Sequence, residues 1–216
     1  MRDFLRLDNL CSGYDHSLHQ PLSLTIHKPG IYLISGPNGS GKTTLIRTLL
    51  NLLNPISGSF EYSEQNSLSY VSQVSHLHSY FPMNISRYVS LGLGPSRGLN
   101  QDKIPKILEH WEITHLAQRS LQEISPGEKL RAMMARAMVS QPKGLFLDEP
   151  LAHLDVCCQE FLVKTIQDYA LQNNAFIFVI EHHFEKFSEY VTGNITFGRW
   201  LHGEALSQIQ FQQVKS

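Results

Sequence analysis

Three observations predict an α/β fold built on a mixed, mostly parallel sheet. The apolar run Ile31-Tyr32-Leu33-Ile34 leads into a glycine-rich loop and then a helix-like stretch, Thr44 to Leu53. A second apolar run, Leu145-Phe146-Leu147, ends in the carboxylates Asp148 and Glu149. A third, Ala175 to Ile180, follows an amphipathic segment, Asp155 to Leu171, whose apolar face is Phe161/Leu162, Ile166 and Tyr169/Ala170. Short runs that are apolar on both faces, alternating with helical patterns, read as parallel strands covered by helices.

The remaining elements follow in order. Leu22, Leu24 and Ile26 alternate with Ser23, Thr25 and His27, a half-buried strand. Pro29-Gly30 turns the chain into the buried strand Ile31 to Ser35. Asn54-Pro55-Ile56-Ser57-Gly58 breaks the helix after the loop, and short strands are expected at Ser59 to Tyr62 and Ser67 to Ser72. From Val74 to about Ser140 the pattern turns helical, with helices expected at Asn84 to Leu91 and Asp102 to Ile113. Leu130, Met133, Met134, Ala137 and Met138 recur at helical spacing, a core-packing stripe rather than a cofactor box. Gly144 to Leu147 and Ala175 to Ile180 return to strand. Asn194 to Phe197 and Trp200 to Leu206 are expected to close the sheet, and the glutamine-rich stretch Gln208 to Ser216 to lie at its periphery.

The 216 residues suffice for one large α/β domain with a subdomain inserted in it. Lys+Arg 18 against Asp+Glu 19 gives a net charge of −1, without the basic field of nucleic-acid binders. The longest strictly apolar run, the six residues Ala175 to Ile180, falls far short of the ~20 that span a bilayer. Met1-Arg2-Asp3-Phe4-Leu5-Arg6 is charged and has no apolar segment of secretory type. Three cysteines, two of them adjacent at Cys157-Cys158, make no disulfide framework and suit a reducing compartment. A metal site of that pair with His153 lacks a second ligand pair, so buried helix thiols are expected; His76 and His78 read as polar loop.

Gly36-Pro37-Asn38-Gly39-Ser40-Gly41-Lys42-Thr43 fits the phosphate-loop pattern G-x-x-x-x-G-K-[ST] at every fixed position, between a strand and a helix as the motif requires. The glycines let backbone N–H groups wrap a phosphate as an anion nest, and the helix behind adds the positive end of its dipole. Lys42 supplies a point charge for the β- and γ-phosphates, and the Thr43 hydroxyl can ligate Mg²⁺. The loop, with Thr44 behind it, implies a nucleoside triphosphate as ligand. Asp148 at a strand tip is placed to hold the metal, directly or through water, and Glu149 stands where a base for the attacking water is needed.

With these residues in hand, nearly the whole chain resembles the nucleotide-binding subunits of ATP-binding-cassette (ABC) transporters. Tyr14 stands where that family stacks an aromatic ring on adenine, and Gln73 where its Q-loop glutamine reaches Mg²⁺ and the attacking water. Ser125-Pro126-Gly127-Glu128-Lys129 occupies the place of the signature Ser-Gly-Gly-Gln, so Ser125 and Gly127 are expected at phosphate. Leu151-Ala152-His153-Leu154-Asp155 resembles the D-loop, which puts Asp155 in the nucleotide set, and His182 stands where the switch histidine touches the γ-phosphate. The departures are Pro126 and Glu128 in the signature, Glu181 where threonine is usual and His183 where an acid is usual. Read physically, Ser125-x-x-Glu128 is a capping box with proline at the first helical position. The helix start should therefore persist, with Glu128 adding an anion beside it.

The resemblance implies a P-loop NTPase core of ABC ATPase type, carrying an antiparallel β subdomain. Residues 1–73 and 141–216 would form the ATP-binding core and 74–140 an inserted helical subdomain with the signature. It implies a head-to-tail homodimer around two Mg-ATP, powering a separate membrane permease from the cytoplasmic face of the inner membrane. Tyr80-Phe81-Pro82-Met83-Asn84-Ile85, aromatic and uncharged, suits the permease contact. Phe81 to Ile85 leading to Val89-Ser90-Leu91-Gly92 resembles importers of metal ions or metal chelates. The rival readings are a soluble ABC protein of DNA repair or translation, disfavoured by the single phosphate loop and the lack of a coiled-coil insertion, and a nucleotide-gated regulatory module.

Overall fold

The computed structural model describes residues 4–63, 68–72, 83–98, 100–152, 154–181, 187, 190–198 and 209–214. Strands β1 (Leu5–Cys11), β2 (Leu22–Ile26) and β4 (Ser57–Tyr62) form an antiparallel sheet in the order β2-β1-β4. Strands β3 (Gly30–Ser35), β5 (Leu68–Val71), β6 (Gly144–Asp148), β7 (Phe176–Ile180), β8 (Val191–Phe197) and β9 (Ile209–Gln213) form the second sheet, in the order β5-β6-β7-β3-β8-β9. Every pairing in it is parallel except β8 with β9. The mixed, mostly parallel sheet and the antiparallel subdomain are thus both present.

The alternation of side chains along a strand divides the interior into two cores. Ile31, Leu33, Leu145, Leu147, Ile177 and Val179 face one side, with the helices α2 (Ile85–Ser90), α3 (Lys103–His110), α4 (Pro126–Met138) and α5 (Val156–Asn173). Tyr32, Ile34, Phe146, Phe176, Phe178 and Ile180 face the other, with α1 (Lys42–Leu49) and the antiparallel sheet. On that second side Phe146 stacks on Phe178 at 4.7 Å and Phe4 on Phe176 at 3.9 Å. Truncating such a ring in a closed core costs roughly 3–5 kcal/mol. This double cover explains why β6 and β7 are buried at every residue and, apart from Asp148 at the tip of β6, apolar without alternation. All five residues of the methionine-rich stripe on α4 are buried.

Several elements depart from the sequence expectations. β1 was not anticipated: its charged residues Arg6 and Asp8 face solvent while Leu5 and Leu7 are buried. The glutamine-rich end is not merely peripheral, since Ile209–Gln213 pairs antiparallel with β8 as the edge strand of the main sheet. Trp200 to Leu206 lies outside the described residues. α1 stops at Leu49, short of Leu53, because the chain turns before the Pro55 breaker. Cys157 is exposed rather than buried, and Cys158 is half-buried, because both precede the first residue of the apolar face of α5. Among the described residues no group of three or more His, Cys, Asp or Glu side chains forms a metal cluster. Also among them, no helix is long and apolar enough to cross a membrane.

Register brings the functional segments to one edge. Ile34, Ile180 and Asp148 are level across β3, β7 and β6, all running the same way. The phosphate loop, Glu181 and the Asp148-Glu149 pair therefore leave the sheet side by side at its C-terminal edge, where ligand sites of open α/β sheets are built.

Candidate functional site

The phosphate loop is shaped by backbone conformations that favour glycine. Gly36 has φ 141°, and a Cβ there would lie 2.6 Å from the Phe197 carbonyl oxygen. Gly41, with φ 100°, precedes α1 and offers no side-chain cap to its first N–H groups. Asn84, Ser125 and Asp155 do cap α2, α4 and α5 with their side chains. Lys42 is buried, and its ammonium donates to the carbonyls of Gly36 at 2.9 Å and Pro37 at 2.8 Å. Burial pushes its pKa down, against the raising pull of Glu149 and Asp148. The Ser40 hydroxyl is buried in the same loop and has no hydrogen-bond partner among the described residues.

Asp148, at the tip of β6, is 6% exposed. It accepts from the Thr43 hydroxyl at 3.1 Å and from the Tyr70 hydroxyl at 3.2 Å, both at Oδ2. Burial pushes its pKa up, the hydroxyl bonds of Thr43 and Tyr70 opposing. A desolvated carboxylate 3.1 Å from a hydroxyl is a hard-oxygen donor pair, which fits Mg²⁺ with its preference for one or two carboxylates and otherwise phosphate and water oxygens. Glu149 follows in the left-handed region, φ 50°, and its N–H donates to Ile180 at 2.9 Å. A non-glycine residue held there costs of order 1 kcal/mol or more, and such strain clusters at functional sites.

Tyr14 sits on a loop tied at its base by Leu18 N–H to the Ser12 carbonyl at 2.9 Å and by a bridge between Gly13 and Ser17. Buried His19 braces that loop: Nε2 accepts from Ser12 N–H at 3.1 Å while Nδ1 meets the Gln20 carbonyl at 2.8 Å. Burial lowers the His19 pKa, which keeps the ring in the neutral form these two bonds require. The Tyr14 ring itself is 58% exposed, and its hydroxyl accepts from Arg47 at 2.9 Å.

Residues 125–128 at the start of α4 and Asp155 at the start of α5 form a second locus. Ser125 and Glu128 make the predicted capping box: Glu128 N–H donates to Ser125 Oγ at 3.3 Å and Ser125 N–H to Glu128 Oε2 at 2.8 Å. The Ser125 hydroxyl also donates to Glu128 Oε2, at 2.8 Å. These bonds hold the Glu128 carboxyl below its ordinary pKa. Asp155 accepts from Cys158 N–H at 2.8 Å, with the same effect. A cavity of about 410 Å³ opens between the two helix starts, lined by Ser125, Gly127, Glu128, Arg131 and Asp155 among others. None of its lining residues belongs to the phosphate loop or to the Thr43–Asp148 pair. Before α5, Glu181 Oε2 accepts from Leu151 N–H at 3.3 Å, and the Gln159 amide donates to the carbonyls of Leu151 at 3.3 Å and Leu154 at 3.2 Å.

Thus Lys42, Thr43, Asp148 and Glu149 converge, with Tyr14 linked to the helix behind the loop, whereas Ser125, Gly127 and Asp155 gather around the separate cavity. Gln73, His182, His153, His76, His78 and Tyr80 to Pro82 lie outside the described residues. Arg47, Tyr70, Glu181 and Gln159 were not anticipated.

Residues 19–152 match the ABC transporter family. The chain belongs to that family. Among curated proteins it is similar to the zinc import ATP-binding protein ZnuC of Pasteurella multocida, 39% identical over 163 residues that make up 76% of this chain and 60% of that one. The same-named protein of Haemophilus influenzae is 36% identical over 76% of this chain and 59% of its own length. That of Buchnera aphidicola subsp. Acyrthosiphon pisum is 34% identical over 84% and 75%. The chain thus spans about 60% of the length of the first two relatives. Among solved structures, a metal-chelate type ABC transporter in an inward-facing conformation superposes with TM-score 0.84 at 25% identity, covering 99% of this chain and 84% of that one. An ATP-binding cassette of another ABC transporter, 21% identical, shares the fold at TM-score 0.80 over 99% of this chain and 92% of its own.

Proposed function

We propose that this chain is the ATP-binding and ATP-hydrolysing subunit of an importer, acting on a separate membrane permease with a metal ion, zinc in the first instance, as cargo. The observation that carries the reading is the juxtaposition at one sheet edge of an uncapped helix start, the buried Lys42 ammonium and the Thr43–Asp148 pair. The relatives' role in zinc import and the metal-chelate type of the structural neighbour support the cargo class.

In this reading the residues Gly36 to Gly41 and the N–H groups of Lys42, Thr43 and Thr44 cradle the phosphates, and Tyr14 stacks on the adenine. Thr43 and Asp148 would hold Mg²⁺, and Gln73 would reach it as well. Bound Mg²⁺ supplies charge neutralisation to the phosphate oxygens. Glu149 takes the proton of the attacking water, and His182 holds the γ-phosphate. Residues 1–73 and 141–216 act as the ATP-binding core and 74–140 as the helical subdomain that meets the permease. The cavity at Ser125, Gly127 and Asp155, which shares no lining residue with the phosphate loop, would receive the nucleotide of a second copy in a head-to-tail homodimer. The subunit then works on the cytoplasmic face of the membrane through its permease.

One observation favours a second reading, a nucleotide-gated module of low turnover. The Ser125 hydroxyl already donates to Glu128, so it must turn away before it can serve a partner's γ-phosphate. Phosphate release by the purified chain separates the two. The ATPase reading expects steady release with Mg-ATP, abolished by EDTA, and loss of cellular zinc uptake in Lys42→Ala. Tight ATP binding without release supports the gated module, and failure to bind ATP overturns both.

A further inference from the structure

Fully buried His19 has no part in the chemistry above, yet it closes the loop that carries the exposed Tyr14. A carbonyl oxygen can only accept, so the 2.8 Å contact with the Gln20 carbonyl puts the imidazole proton on Nδ1. Nε2 then keeps its lone pair, which accepts the Ser12 N–H at 3.1 Å. One neutral tautomer satisfies both bonds, and no other form of the ring does. The same end of the loop is tied by Leu18 N–H to the Ser12 carbonyl at 2.9 Å and by the Ser17 hydroxyl to the His19 carbonyl at 2.6 Å.

The closed loop also rests on the phosphate loop. The His19 ring meets Phe197 edge to face, with centroids 5.7 Å apart. Phe197 in turn lies against the glycine backbone: a Cβ added at Gly36 would lie 2.7 Å from Phe197 Cβ, and one at Gly41 would lie 3.7 Å from its Cε1. Leu18, the chain neighbour of His19, presents its own Cβ 3.2 Å from that added atom at Gly41. Glycine is what lets the two loops approach this closely. On the far side the Tyr14 hydroxyl is held by Arg47 of α1, the helix that continues the phosphate loop. The Tyr14 ring is thus placed against the phosphate loop from both ends, and His19 is the buried end.

We propose that His19 is a positioning residue for the nucleobase: it locks the loop 12–19 onto the phosphate loop and so fixes the span between the Tyr14 ring and the bound phosphates. This inference rests on the reading of Tyr14 as the ring that stacks on the base. A loop already ordered loses little freedom when a base stacks on it, and such preorganisation appears as affinity. Without the Ser12–His19 bond the base itself must order the loop. The consequence is selectivity. A phosphate that carries a base gains from His19, and a bare polyphosphate, which never reaches Tyr14, does not.

The test measures, by calorimetry with Mg²⁺, the factor by which ADP binds more tightly than inorganic pyrophosphate. In the parent this factor includes stacking on Tyr14, ordinarily worth about fivefold or more, and Tyr14→Ala should remove that share. His19→Leu keeps an apolar side chain against Phe197 but cannot accept from Ser12. It should lower the factor about as far as Tyr14→Ala does, while pyrophosphate affinity stays within about twofold of the parent. Added to Tyr14→Ala, it should lower the factor no further, because it acts through that ring. A merely structural role would lower the melting temperature and leave the factor unchanged. A factor within about twofold of the parent in folded His19→Leu, or an equal fall when it is added to Tyr14→Ala, overturns the proposal. If the leucine variant does not fold, imidazole ¹⁵N spectra of the parent at neutral pH decide. They should show His19 neutral with its proton on Nδ1, and a proton on Nε2, or a cation, overturns the proposal. A Tyr14→Ala variant that keeps the parental factor overturns the stacking reading itself.

Discussion

At the start of α4 the Ser125 and Glu128 side chains answer the first N–H groups, and at the start of α5 Asp155 does the same. At the start of α1 the N-cap is Gly41, which has no side chain to do so. All three helix ends present the same unpaired donors and the same positive dipole end. The charges around them are treated in opposite ways. Glu128 and Asp155 have pKa values lowered by the backbone bonds they accept, so folding favours their ionised forms. Asp148 is shifted up and Lys42 down, both by burial, so folding works against the charges beside α1. A helix end that is complete in itself is a stabilising device. One whose N-cap is a glycine, and which is surrounded by desolvated charge and a buried Ser40 hydroxyl that has no partner among the described residues, is completed by an anion and a cation from outside.

The sharpest way to break this contrast is at the carboxylates. Glu149→Gln keeps the shape of the side chain but cannot act as base, so phosphate release should fall by ~10²-fold or more while ATP binding persists. A variant that hydrolyses ATP at the parental rate would remove Glu149 from the chemistry.

Asp148→Asn probes the cost of the open site. With its native pKa raised above 3.8, the folded chain binds more protons than the unfolded one as pH rises from 3.8 through the native value. The penalty is absent below that window and fully present at neutral pH. The amide, which can still accept from Thr43 and Tyr70, should therefore raise the melting temperature at pH 7 while abolishing the Mg²⁺ dependence of ATP binding. A lower melting temperature would show that the ionised carboxylate stabilises the fold.

Ser125→Ala tests the self-sufficient end and should have the smallest effect. Loss of the cap should cost about 1 kcal/mol, or roughly 2–4 °C in melting temperature for a chain of this size. ATPase activity and ATP-driven dimerisation should fall as well if the hydroxyl also serves a second copy's nucleotide. An unchanged melting temperature would mean that Glu128 holds the helix start alone.

The legible parts of this molecule were those written in local sequence. The phosphate loop and the capping box occupy eight and four consecutive positions, Gly36 to Thr43 and Ser125 to Glu128, and both are recognisable from spacing alone. Arg47, Tyr70 and Glu181 were not legible, because their partners Tyr14, Asp148 and Leu151 lie 33, 78 and 30 residues away. No periodicity reports contacts made only when strands and loops assemble. β9 escaped for a different reason. Its half-buried Ile209 and Phe211 alternate with glutamines, which present a weak apolar face at a sheet edge. Cys157 and Cys158 were misjudged because a free thiol is usually buried, whereas α5 turns its apolar face inward only from Phe161 onward.

The most direct test of the contrast between open and self-capped helix ends is an ATP titration, with Mg²⁺, of monomeric parent, Lys42→Ala and Ser125→Ala protein at dilution. Removing the only loop side chain that carries positive charge should weaken ATP by about tenfold or more, since hydrogen bonds to charged groups are worth roughly 1.5–3 kcal/mol. Removing the Ser125 cap should leave the affinity within about twofold, because the cap serves its own helix. Parental affinity in folded Lys42→Ala, or a comparable loss in Ser125→Ala, would contradict the assignment of the open end of α1 as the phosphate site.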